Sequence, residues 1–177
     1  KNPIVKCTDW TSKGFAIACI WRVMLKGGQR CCSSMAPNVL DGERVLAFDL
    51  ETTGISTSSD RIVQIALIGA APDGTALHFE QIINPRRPIP YGASNVHGIF
   101  DQDVRGKGDF STIADQVAEM IEGSVIVGHN VRRFALELLE AAFFRLGTRM
   151  TRPYAVINTI ALCPRLNIHR THNLCTL

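Results

Sequence analysis

The chain has 177 residues, 46% hydrophobic and 20% charged, a globular composition long enough for one ordinary domain with a real core. Nineteen Lys and Arg against 16 Asp and Glu leave a net charge of +3, which is compatible with a nucleic-acid partner without arguing for one. No apolar run reaches the ~18–20 residues of a membrane-spanning helix, so no membrane role is expected. The cysteines are Cys7, Cys19, Cys31, Cys32, Cys163 and Cys175. None forms a Cys-x-x-Cys pair or has a His at zinc-finger spacing, which argues against a zinc site. Free thiols in a reducing, intracellular compartment are the expectation.

Residues 1–34 differ in texture from the rest. Phe15 to Trp21 is apolar, and no acid occurs between Trp10 and Leu40, whereas Lys13, Arg22, Lys26 and Arg30 are basic. Three readings stay open: the tail of a preceding domain with a linker, a transit-peptide-like segment, or an extension ahead of Met35. The turn signals Ala36-Pro37-Asn38 and Asp41-Gly42 place a boundary near 35–43. The division expected is therefore 1–42 as an extension or linker and 43–177 as the domain. The chain begins without Met and stops inside an amphipathic pattern, so a fragment of something longer is expected.

Residues 44–50 read as a first strand. It runs into Asp49-Leu50-Glu51-Thr52-Thr53-Gly54. With side chains alternating at period 2, Asp49 and Glu51 share one face at the end of a buried strand. Two ionised carboxylates there repel and are costly to desolvate. A hard divalent cation such as Mg²⁺ or Mn²⁺ between them is the simplest remedy. Ile62 to Gly69 is a β-branched second strand. Ala71-Pro72-Asp73-Gly74 is a turn, and Leu77 to Ile83 alternates as a third strand, giving an antiparallel meander.

The Pro-rich connector Asn84 to Tyr91 cannot be helix. Ala93 to Ile99 reads as a helical turn closed by Gly98. Ser111 is the expected N-cap of a helix through Ile113, Val117, Met120 and Ile121 that ends at Gly123. Ser124 to Gly128 is a short buried strand, with His129-Asn130 at its exit. Phe134 to Leu146 is an amphipathic helix stopped by Gly147. Ala155-Val156-Ile157 is a further strand, followed by a helix beginning at Thr159 and broken near Pro164, and by another starting at Asn173. The order β-β-β-α-β-α-β-α implies an α/β fold. Its mixed sheet has three antiparallel strands and then parallel ones, with helices on its faces.

Several stretches together resemble one family, the DEDDh 3′→5′ exonucleases of the ribonuclease-H-like superfamily, typified by the proofreading epsilon subunit of bacterial replicases. Phe48 to Gly54 resembles its first motif, and Asp60 to Ala66 the strand that follows. Asn84-Pro85, Pro88-Ile89-Pro90, Ala93 and Val96-His97-Gly98-Ile99 resemble the loop beside the nucleotide pocket. Val127-Gly128-His129-Asn130 with Phe134 resembles the second motif. Asn158 to Leu162 resembles Asp-Thr-x-x-Leu, and His172 to Leu177 the helix leading to the third motif. The resemblance implies two-metal phosphodiester hydrolysis at a DNA or RNA 3′ end, with Mg²⁺ or Mn²⁺ held by acids that include Asp49 and Glu51. It implies that Thr52, His97 and Asn130 contact the nucleotide. It also implies a polymerase or larger nucleoprotein assembly as a possible partner. Arg86 and Arg87, in the loop near that pocket, are candidates to touch a backbone phosphate, and Arg132 and Arg133 are open to two readings, steering phosphates or plain solvation at an exposed helix start. Phe134 reads as core.

The chain departs from that pattern. The second motif needs Asp after its Phe, and Ala135 stands there. The third needs Asp five residues after a His, where His169 has Leu174 and His172 has Leu177. Asn158 replaces an Asp. Two acids hold at most part of the metal site, so weak metal affinity and little hydrolysis are expected. A non-catalytic binding or scaffold module derived from an exonuclease is the competing reading. A small-molecule-binding α/β domain has little support without a glycine-rich phosphate loop.

Overall fold

The computed structural model describes residues 40 and 42–161. Where a helix is expected from Thr159 the described residues show a 3-10 turn, Thr159–Ala161. The rest of that helix, the helix expected from Asn173, His169, His172, residues 1–39 and residue 41 lie outside the described residues. The β-branched runs form strands as their patterns require. β1 (Val45–Thr52) pairs antiparallel with β2 (Ile62–Ala70), which pairs antiparallel with β3 (Ala76–Ile82). β4 (Val125–Gly128) runs parallel to β1, and β5 (Ala155–Asn158) parallel to β4. The five described strands form one mixed sheet in the order β3-β2-β1-β4-β5. The expected change from antiparallel to parallel falls at the central strand β1.

One face of the sheet carries the main core. Leu46, Phe48 and Leu50 of β1, Ile65 and Leu67 of β2 and Ile126 of β4 are buried there. They share a cluster with Val117 and Ile121 of α3 (Ala114–Ile121) and with Leu138, Leu139, Ala142 and Phe143 of α4 (Leu136–Arg145). Each large side chain so buried contributes roughly 1.5–3 kcal/mol relative to exposure. Phe110 meets Phe143 edge to face at 5.1 Å. The opposite face carries a small cluster of Ala47, Ala66 and Ile68. The period-2 alternation places Asp49 and Glu51 on that side. β1 and β2 approach closely at Gly69, where a Cβ would lie 1.8 Å from the Val45 carbonyl oxygen.

Between the Pro-rich connector and α3 lie two short helices, α1 (Tyr91–His97) and α2 (Asp101–Val104). Gly98 closes α1 in the left-handed region at φ 67° and donates its N–H to the Ser94 carbonyl. The second helix was not anticipated, because four residues carry no periodicity to detect. Ser111 is not the N-cap. Asp109 accepts the Ser111 N–H and caps a 3-10 turn, Phe110–Thr112, which leads into α3. The carboxylate of Asp109, two residues upstream, is the stronger acceptor because it is charged. Among the described residues no helix is long and apolar enough to cross a membrane.

Candidate active site

The two carboxylates end β1 as its alternation demands. Asp49 stands opposite Ala66 and Glu51 opposite Gln64, both half-buried. Burial pushes the Asp49 carboxyl up to about 6, opposed by a hydrogen bond from the Leu50 backbone and by the charge of nearby His129. A β-bulge lies immediately beyond them. Glu51 faces Gln64 but Thr52 faces Ile62, leaving Val63 unopposed. Ile62 stays in the main core, while Val63 packs with Ile89, Ile99 and Val104 in a separate cluster. The bulge thus anchors the connector and both short helices beside the carboxylate end of β1.

The loop after β1 is tied to itself. Thr52 donates its hydroxyl to the Gly54 carbonyl at 2.7 Å. Thr53 donates its own to Asp60 Oδ1 at 2.8 Å, and the Ser56 N–H reaches Asp60 Oδ2 at 2.9 Å. A Cβ on Gly54 would lie 2.5 Å from Asp60 Oδ2, so only glycine lets the carboxylate enter. Asp60 organises this loop, a role that sequence reading missed. The available signal was a lone acid closing a run of small hydroxyl residues.

At the end of β4, Gly128 passes so close to β1 that a Cβ would meet the Phe48 carbonyl oxygen at 2.7 Å. His129 Nδ1 lies 3.2 Å from the Thr159 hydroxyl, which itself reaches the Gly128 carbonyl at 3.3 Å. Asn130 takes the left-handed conformation at φ 50°, and its carbonyl accepts the Phe134 N–H at 3.1 Å. Its side chain makes no capping bond, so Asn130 organises the strand exit through its backbone. Next comes one π-helical turn, Val131–Ala135, in which the Leu136 N–H bonds to the Val131 carbonyl. Ala135 is 4% exposed and belongs to the main core cluster, against which Phe134 packs.

His97 is 3% exposed at the end of α1, and its Nδ1 accepts the Ile99 N–H at 3.1 Å. Arg86 also has positive φ, 56°, and its guanidinium pairs with Asp109 at 3.0 Å. Arg132 lies 3.5 Å from the Val156 carbonyl, and Arg133 is exposed. Asn158 stands beside Gly128 in the β4–β5 register, and its buried Oδ1 has no hydrogen-bond partner among the described residues.

Asp49 and Glu51 offer the edge of a site for one hard cation, since Mg²⁺ takes one or two carboxylates and keeps several waters. Among the described residues these two acids do not by themselves complete a two-ion arrangement. Among the described residues no group of three or more His, Cys, Asp or Glu is disposed to hold a metal, and Ala135 has a methyl where the second motif needs a carboxylate.

Comparison with known proteins agrees with this architecture. The sequence profile of the RNase T exonuclease family matches residues 46–173. The chain is 34% identical over 142 residues to a DNA polymerase III subunit epsilon-like protein of Rhodobacter capsulatus, covering 77% of this chain and 19% of that protein. It is 33% identical over 116 residues to the DNA polymerase III subunit epsilon of Treponema pallidum, covering 66% of this chain and 53% of that one. It therefore spans about a fifth and about half of these two relatives. Among solved structures, Escherichia coli exonuclease I in complex with a dA16 oligonucleotide superposes with a TM-score of 0.59 at 21% identity. That match covers 72% of this chain and 31% of that one, a likeness of fold. With a mixed sheet of ribonuclease-H-like order and a profile match across most of its length, the chain belongs to the RNase T exonuclease family.

Proposed function

We propose that this chain is a 3′→5′ exonuclease-type domain that holds the 3′ end of a DNA or RNA strand and hydrolyses it weakly or not at all. Asp49 and Glu51 are the remaining half of a metal site for Mg²⁺ or Mn²⁺. Thr52, His97 and Asn130 border the terminal nucleotide. Bound there, a divalent cation would supply charge to a phosphodiester oxygen. The described residues do not complete a two-ion centre, so no hydrolytic step is assigned to them. The observation that carries the reading is the buried methyl of Ala135 in the second motif. The names of the relatives support a place in a replication or other nucleoprotein assembly, and the cysteine spacing supports a reducing, intracellular compartment.

The test is release of mononucleotides from labelled single-stranded DNA and RNA with Mg²⁺ or Mn²⁺. Binding with little release is expected from the natural full-length protein, and increased release from its Ala135→Asp variant. Rapid metal-dependent release by the unsubstituted protein overturns the weak-hydrolysis reading. Binding without release by either protein favours the non-catalytic module.

A further inference from the structure

Three arginines, two of them from distant parts of the chain, converge on one loop. Arg145, at the end of α4, donates to the Ser58 carbonyl at 2.6 Å. Arg87, in the Pro-rich connector, donates to the Ser59 carbonyl at 2.8 Å. Arg61, at the start of β2, donates to the carbonyls of Ser59 and Asp60. The residue before Arg87 sets this up. Arg86 turns into the left-handed region and spends its charge on Asp109, leaving Arg87 to reach across to the loop.

The acceptors are neutral carbonyls, which orient guanidinium groups without cancelling their charge. Asp60 is the carboxylate within the loop, and Thr53 and Ser56 already bond its oxygens. Arg145 registers the crowding. Burial, then the charges of Arg61 and Arg87, lower its proton affinity, with Asp60 opposing. Arg61 and Arg145 also line a cleft of about 220 Å³ whose walls include Ile62, Ile83 and Leu146 and, on the polar side, the Arg86–Asp109 ion pair, in which the carboxylate is already neutralised. Apolar walls of this kind strengthen the field of the charges beside them.

We propose that Arg61, Arg87 and Arg145 form a phosphate-binding site for the backbone of a single strand, upstream of the terminal nucleotide held near Asp49 and Glu51. Guanidinium groups present several N–H donors in a fork that suits phosphate oxygens, and a carbonyl bond occupies only part of each fork. The loop that carries the acceptors leaves β1 after Thr52, the residue that follows Glu51, so one short segment links the cluster to the carboxylates. This inference rests on the nucleic-acid reading above.

The test measures binding of a labelled single-stranded DNA to the full-length protein in EDTA across a range of NaCl concentrations. The Arg87→Gln/Arg145→Gln double variant should bind about tenfold more weakly at low salt, with the slope of log K against log salt flatter by about 1.4, the value for two lost phosphate contacts. Arg87→Lys/Arg145→Lys keeps both charges and should keep the slope, and it serves as the control if the Gln variant melts early. Inorganic phosphate alone, at fixed ionic strength, is assayed by thermal shift. Binding by the natural protein with affinity and slope unchanged in the Gln variant overturns the site but not the nucleic-acid reading. No binding by the natural protein overturns both. Stabilisation by inorganic phosphate that the Gln variant loses, with DNA affinity unchanged, overturns the strand assignment in favour of a small free anion.

Discussion

The Thr53 hydroxyl donates to Asp60 Oδ1 at 2.8 Å, closing the loop that leaves the carboxylate end of β1. The Arg61 N–H returns to the Thr53 hydroxyl at 3.1 Å, and the Thr53 N–H to the Arg61 carbonyl at 2.9 Å. Both ends of the loop are therefore clamped by the same two residue pairs. Asp60→Ala should cost about 1–3 kcal/mol, because it leaves the Thr53 hydroxyl and the Ser56 N–H without their acceptor. Asp60→Asn, which keeps one acceptor oxygen, should lose less. Urea unfolding of the three proteins checks this, and equal stability of the Ala variant and the parent would refute it.

Asp49 gives the stability a pH dependence. Its carboxyl loses a proton near 3.8 when unfolded and near 6 when folded. Between those values the folded state binds more protons, so stability falls as pH rises from about 4 to about 6 and then levels off. The loss is on the order of 3 kcal/mol. Asp49→Asn should abolish this fall and be the more stable protein at neutral pH. Thermal melts across that range decide the matter. A parallel decline in both proteins would place the titration elsewhere.

Ala135→Asp should reveal whether the site accepts its missing ligand. A carboxylate in this core position, without a cation, should destabilise by about 2–4 kcal/mol. Mn²⁺ should recover part of that loss and leave the parent's melting temperature almost unmoved. A variant whose melting is equally depressed with EDTA and with Mn²⁺ would show that position 135 does not face the carboxylates.

Gly69→Ala tests the close approach of β1 and β2. The added Cβ would meet the Val45 carbonyl oxygen at 1.8 Å and its carbon at 2.8 Å. Both are backbone atoms, so the strands must separate at a cost of about 3 kcal/mol. Gly92→Ala, inside α1 with nothing within 4 Å of its Cβ position, should be neutral or stabilising. Chemical denaturation of the pair gives the comparison, and similar midpoints would contradict it.

The strands were legible because β-branched alternation and turn residues speak locally. Val45 to Leu50, Ile62 to Gly69 and the Ala71 to Gly74 turn needed no tertiary information. Helix ends marked by Gly98, Gly123 and Gly147 were legible for the same reason, since all three adopt positive φ. The carboxylate pair was legible because its spacing matches the strand period. What escaped depends on partners far away in sequence. The bulge at Val63 is a property of two strands in register, and the arginine convergence joins residues up to 87 positions apart. The π-helical turn escaped because Val131 to Ala135 contains nothing that forbids an ordinary α-helical start.

That turn has a consequence for chain length. A bond from Leu136 to Val131 encloses one residue more than an α-helical bond does. The segment between Asn130 and α4 therefore carries a spare residue. Removing one of the exposed arginines at 132 and 133 would let the turn close as ordinary α-helix, with α4 still seated in the core. The entry to α4 acts as a slack coupling, in which the direction of position 135 is set by residue count as well as by residue type.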